Sequence, residues 1–338
     1  MSTPSQEVPH IPTRLTEQVG IRIPVICGPM YPCSNPELVA AVSRAGGIGV
    51  VQPVSLTWVH KHDFREGLRL IRSITPEPIG VNALIEKSSE RYRQRLEQWV
   101  EIALEEGVRF FVTSLGNPRW VVDRVSPAGG IVYHDVTERK WAQKGVDGGV
   151  HGLIAVNRNA GGHAGARDPR ALLDEVADLG LPVVCAGGIG DAPQFVDALR
   201  MGYAGAQLGT RFIATPECLA HPDYKAAIVR ARAEDVVLTE RLTGVPVAVL
   251  KNPYIERIGT RAGPLARALL RHPRAKHWMR MAYTLRSAWS LRKSLNQSEG
   301  DRDYWQAGRS VEHIDRVEPA GTIVARLAHA AAEAGLGA

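Results

Sequence analysis

Between Pro24 and Leu208 the chain alternates short apolar runs with amphipathic stretches eight times, a pattern that few folds accommodate. The apolar runs cover residues 24–27, 48–51, 79–82, 110–113, 130–134, 152–156, 181–186 and 204–208. Most are apolar along their whole length, as strands buried on both faces are. Helix signals fill the gaps. Asn35 precedes Pro36 and Glu37 in a run that stops at Gly46-Gly47, and Phe64, Leu68 and Ile71 mark the next helix. Residues 91–106, 121–125, 137–144, 169–179 and 191–201 supply others. Eight strand–helix units predict an α/β (β/α)8 TIM barrel, whose usual size of about 250 residues fits within this chain. An open doubly wound sheet is the alternative. It is disfavoured because no G-x-G-x-x-G follows the first strand.

The hydrophobic and charged fractions, 44% and 22%, are ordinary for a soluble globular chain. The cysteines Cys27, Cys33, Cys185 and Cys218 show no C-x-x-C pairing, and His, Cys and carboxylate positions form no metal set. Reduced buried thiols, no metal and a cytoplasmic location are expected. Met1 to Gln18 lacks the apolar core of a signal peptide, and no window approaches ~20 apolar residues.

The formal charge of +6 is concentrated, because from Lys251 to Lys293 eleven basic residues stand against Glu256 alone. Residues 246–305 are therefore expected to form a C-terminal basic helical insertion or lid. Residues 1–245 and 306–338 make the barrel, with an Ala-rich helix from Thr322 to Ala334 on its outer ring. Within the insertion Trp278, Met281, Tyr283 and Trp289 alternate with Arg280, Arg286 and Arg292. A helical excursion packed on the barrel accounts for this pattern. A cover over the site, a membrane-surface contact or a receiver for an acidic CoA or carrier-protein substrate are the alternatives. No nucleic-acid motif is present.

In a barrel the loops that follow the strands share one face, which carries the chemistry. Strand seven ends in Gly187-Gly188-Ile189-Gly190 and strand eight in Gly209-Thr210-Arg211. Glycine turns that open helices there present backbone N–H groups to a phosphate. Strand six runs into Asn157-Arg158-Asn159-Ala160-Gly161-Gly162-His163-Ala164-Gly165. The imidazole of His163 suits proton transfer near neutrality. Gly28-Pro29-Met30 after strand one and Asn82 at the end of strand three complete the ring. A phosphate anchor, an apolar Met across from it and a proton-handling His suit FMN better than a sugar phosphate.

These motifs, together with 24–30, 80–82, 207–212 and 214–218, resemble the nitronate monooxygenase (2-nitropropane dioxygenase) family from about Pro24 to Arg230. Related motifs occur in FMN-dependent enoyl-acyl-carrier-protein reductases and quinone reductases. The resemblance implies that His163 is the catalytic histidine and that Gly161 and Gly162 lie against the cofactor. It implies phosphate contacts from Gly187, Gly188, Gly209 and Thr210, and flavin-ring neighbours at Met30 and Asn82. Gly28, Pro29, Ile189 and Gln207 belong to the same cofactor-binding set. The implied reaction takes a small-molecule nitronate and O2 to a carbonyl compound and nitrite. The alternatives are an NAD(P)H-dependent flavin reductase acting on enoyl thioesters or quinones, and a non-catalytic phosphate-ligand-binding barrel. A homodimer is an open expectation. Two departures stand out: Cys27 where family members often carry Gln, and Asp135 after His134 where some relatives carry Lys. His134, His151 and Cys185 are expected to be structural.

Overall fold

A computed structural model describes residues 8–86, 89–242, 244–261 and 304–337. Eight parallel strands close in order into a barrel: β1 (Val25–Cys27), β2 (Ile48–Val51), β3 (Ile79–Ile85), β4 (Phe110–Leu115), β5 (Ile131–Val136), β6 (Gly152–Val156), β7 (Val183–Ala186) and β8 (Gly205–Leu208). Closure is made by β8 against β1, with Val25 opposite Ala206 and Cys27 opposite Leu208. The expected TIM barrel is the fold.

A short helix the sequence reading did not contain, α1 (Arg14–Val19), stops the N-terminal end of the barrel. Its fully buried Leu15 joins Ile26, Val50, Phe110, Val112, Tyr133, Ile154 and Val184 in the lumen, and Tyr133 donates from its hydroxyl to Gln18 Oε1 at 2.8 Å. Each such apolar side chain contributes roughly 1.5–3 kcal/mol by leaving water, so the lumen is a packed core. Outside stand α2 (Pro36–Arg44), α3 (Phe64–Ile74), α4 (Glu90–Glu105), α5 (Arg119–Val125), α6 (Arg139–Asp147), α7 (Pro169–Val176) and α8 (Ala192–Met201).

Only seven helices follow the first seven strands. After β8 come the single turn α9 (Thr210–Ile213), then α10 (Pro222–Arg230), a hairpin of β9 (Val236–Thr239) and β10 (Val247–Leu250), and α11 (Pro253–Ile258). The eighth outer helix is the last one, α12 (Ala320–Glu333), which packs between α8 and α2. Everything from Ala214 to Pro319 is thus one long connection between β8 and its helix, and it leaves the barrel from the catalytic face. Arg326 of α12 fastens this closure. It donates to Glu318 at 2.5 and 2.8 Å and to Asp191, just before α8, at 2.6 Å. Arg280, Arg286 and the aromatic residues read as a lid lie outside the described residues. The described part of the expected insertion holds β10 and α11.

Candidate active site

The loop after β6 is built around Asn157, which is fully buried. Its Nδ2 donates to the Gly187 carbonyl at 3.0 Å, and its Oδ1 accepts from Asn159 N–H at 2.8 Å. One side chain thereby joins the histidine loop to the glycine turn after β7. Gly187 and Gly188 have φ of +117° and +87°. A Cβ on Gly187 would stand 2.5 Å from the Ala160 nitrogen, so that turn requires glycine. Among the described residues, the N–H groups of Gly188, Ile189, Gly209 and Thr210 donate no hydrogen bond. α8 is not the anion site, because Asp191 before it is engaged with Arg326. The free donors come instead from the two turns expected to hold a phosphate.

The stretch 304–310, whose first two residues sequence reading gave to the insertion and the rest to the barrel's return, is threaded through this site. Gly308 N–H donates to Thr210 Oγ1 at 3.0 Å, and Arg309 N–H to the Asn159 carbonyl at 2.9 Å. A Cβ on Gly161 would meet the Gly308 nitrogen at 2.9 Å, so the two backbones touch directly. Thr210 can still donate its own hydroxyl hydrogen to a phosphate. Stacking of Trp305 on Tyr224, with ring centres 5.3 Å apart and nearly parallel, holds this return in place.

The hairpin is the second part that was missed. Ala248 of β10 donates to the Gly162 carbonyl at 2.7 Å and accepts from Gly162 N–H at 3.3 Å, while Leu250 N–H donates to the Trp305 carbonyl. The residue next to His163 is therefore held like a strand. Two β-branched runs, Val236-Val237-Leu238-Thr239 and Val247-Ala248-Val249-Leu250, were the available signal.

His163 itself keeps more than a third of its surface open. Protein nonetheless crowds the ring enough for desolvation to lower its pKa. The exposure limits the size of the shift, and its direction keeps the imidazole neutral at pH 7, the form that accepts a proton. Met30 Sδ lies 3.3 Å from the position a Cβ on Gly209 would take, so it stands beside one of the turns expected to hold the phosphate and not across from it, and Gly28 packs on the Gln207 side chain. Asn82, on the lumen side of β3, donates to the Val112 carbonyl at 3.1 Å. Gln207 Oε1 is enclosed and makes no hydrogen bond among the described residues. A ligand that brings a donor would satisfy it.

His134 and His151 are structural. His134 is buried, bonds Thr113 Oγ1 through Nδ1 at 2.9 Å, and is lowered to about 4 by burial. His151 Nδ1 accepts from Val132 N–H. All four cysteines are buried and unpaired as disulfides, and burial pushes Cys27 and Cys185 up. No group of three or more potential metal ligands occurs among the described residues, and no described helix is long and apolar enough to cross a membrane.

The last two barrel strands thus open into N–H donors that make no hydrogen bond among the described residues, and the neighbouring loop carries an imidazole whose pKa is lowered. The chain belongs to the nitronate monooxygenase family, whose profile matches residues 12–330, and is a flavin oxidoreductase. It is 30% identical over 299 residues to (3aS,4S,5R,7aS)-5-hydroxy-7a-methyl-1-oxo-octahydro-1H-indene-4-carboxyl-CoA dehydrogenase of Mycobacterium tuberculosis, covering 87% of this chain and 81% of that one. It is 29% identical to nitronate monooxygenase of Pseudomonas aeruginosa, covering 71% of this chain and 80% of that one. Among solved structures, FabK from Thermotoga maritima superimposes with a TM-score of 0.78 at 27% identity, over 96% of this chain and 97% of FabK.

Proposed function

We propose that the protein binds FMN and oxidises a carbon acid, in the first reading an alkyl nitronate or its parent nitroalkane, with O2 completing the reaction to a carbonyl compound and nitrite. The residues fit FMN. Four free N–H groups and the Thr210 hydroxyl suit a phosphate monoester, and the enclosed Gln207 Oε1 calls for a donor such as a flavin ring N–H or a ribityl hydroxyl. Gly28, Pro29, Met30, Asn82, Gly161 and Gly162 are the residues this reading assigns to the flavin between that anchor and His163. When bound, the flavin supplies the two-electron acceptor. The protein's own residues hold the substrate against it, and His163 takes the proton from the substrate carbon. The observation that carries this reading is the pairing of the phosphate-suited turns with a neutral His163 on the loop Asn157 ties to them. Anaerobic addition of an alkyl nitronate should bleach the flavin absorbance, whereas NADH alone should not. Rapid bleaching by NADH would replace this reading by the reductase one.

A second reading, a thioester substrate, is favoured by a groove of about 380 Å³ between Arg158, Arg309 and the hairpin residues Val236, Leu238 and Ala248. Both arginines are exposed. They flank Asn159, on the outer side of the phosphate turn, where the phosphates of a CoA chain could be received. Charge-assisted contacts contribute about 1.5–3 kcal/mol each. The double variant Arg158→Glu, Arg309→Glu should therefore raise KM for a CoA thioester by at least about tenfold and leave a small nitronate unaffected. Equal KM values for the thioester in variant and wild type would remove this reading.

A further inference from the structure

One enclosed carboxyl oxygen at the catalytic end has no task in the scheme above. Asp135 lies near the end of β5, on the same side as Tyr133, whose ring fills the lumen. Its Oδ1 is shut off from water and makes no hydrogen bond among the described residues, although the residue as a whole keeps partial surface. A charged carboxylate held this way is unfavourable, and the neutral acid is penalised far less. Burial alone pushes the group up to about 7.

The surroundings explain why no charge counteracts this. On β4, continuing the register that pairs Thr113 with His134, Ser114 stands level with Asp135. On β6 its partner is Ile154, and the polar groups on β3 and β8 are the amides of Asn82 and Gln207. His134 turns the other way, toward Thr113 and α6, and Lys144 of α6 acts on His134. Tyr133 reaches down to α1. The adjoining loop carries His163 together with Arg158 and Arg167, both exposed and the latter paired with Glu175, and Asp168, which accepts from Ala171 N–H at the start of α7. That loop folds back over the end of β5, where a Cβ on Gly165 would stand 3.3 Å from Thr137 Cβ.

We propose that Asp135 is the acid that complements His163: its carboxyl O–H donates a hydrogen bond to the substrate oxygen on which negative charge gathers as the carbon loses its proton. The idea rests on the carbon-acid reading above and deepens it. In this step the C–H bond breaks and its proton passes to the imidazole. The electron pair left behind delocalises onto a nitro or carbonyl oxygen, and Asp135 keeps its own proton. The step it assists is therefore the deprotonation of a neutral carbon acid, a step that a preformed nitronate does not need. Below about 7 the group is neutral and donates. Above it the group is ionised, ceases to donate and repels a nitronate. Activity on neutral substrates should thus fall as pH rises through about 7.

Two substitutions and one spectroscopic titration test this. Asp135→Asn keeps a donor at every pH, so the alkaline limb of kcat/KM for the neutral substrate should disappear, and kcat/KM for a preformed nitronate should rise at alkaline pH. Asp135→Leu should lose roughly 10²–10³-fold on the neutral substrate, the usual effect of removing one such donor, with flavin content unchanged. Infrared difference spectra of wild type against Asp135→Asn should show a protonated carboxyl that titrates near 7. A carboxyl ionised from about pH 5 upward, or wild-type rates and pH profile in both variants, would overturn the proposal. If neither a nitroalkane nor a thioester is turned over, the carbon-acid reading fails, and the infrared titration still decides whether Asp135 is a neutral acid.

Discussion

The Gly188→Val protein is expected to fold and to purify without flavin. Gly188 has φ +87°, where a branched residue is strained by about 1–3 kcal/mol. Its Cβ would lie 3.1 Å from Asn159 Nδ2, a side-chain neighbour that can yield by a few tenths of an ångström. The fold should therefore survive. The valine methyls would stand over the N–H groups of Gly188 and Ile189, and losing two contacts to a charged phosphate at about 1.5–3 kcal/mol each weakens binding by roughly 10²–10⁴-fold. Gly187 is the wrong residue for this test, because a Cβ there would strike the Ala160 backbone at 2.5 Å and disturb the fold itself. The measurement is the ratio of visible to protein absorbance together with a melting curve. A Gly188→Val protein that melts like wild type and carries a full complement of flavin would remove the phosphate anchor from this turn.

The turn proposed as that anchor was legible in the sequence because its cause is local. Gly187-Gly188 needs positive φ, and most of the eight parallel strands are apolar runs that alternate with amphipathic stretches. What escaped depends on residues far apart in the chain. α1 has only six residues, and its box pairs Thr13 with Thr16, without the acidic or amide residue usual three places after the cap. β10 is apolar enough to be read as a strand, but it adjoins the most basic segment of the chain, and its pairing with Gly162 follows from no local pattern. Gly308 is one glycine among 33, and only its contacts with Gly161 and Thr210 give it meaning. Asp135 was visible as a reversal of charge. Its enclosure, which turns the reversal into a neutral acid, is a property of the closed barrel.

His163→Ala should abolish most activity on a neutral substrate and leave flavin bound. General base catalysis contributes typically 10²–10⁴-fold, and alanine removes the imidazole without touching the donors at Gly188, Ile189, Gly209 and Thr210. The backbone of the loop is held independently of the ring: Gly162 by Ala248, Asn159 by Arg309 and Asn157, and Ala164 by the Gly162 carbonyl. The loss should therefore be chemical and not a collapse of the loop. A preformed nitronate has already given up its proton and should suffer less, by the roughly 0.5–1.5 kcal/mol of one hydrogen bond. The pH profile supplies a second sign. A base whose pKa is lowered by burial becomes protonated only below its ordinary value of 6.5, so the acid limb of kcat/KM for the neutral substrate should lie on that side and vanish in the variant. Steady-state rates with both forms of one nitroalkane, across pH, make the comparison. Equal losses on the two forms would mean that His163 positions substrate or flavin, and the proton would then have to leave the carbon by another group.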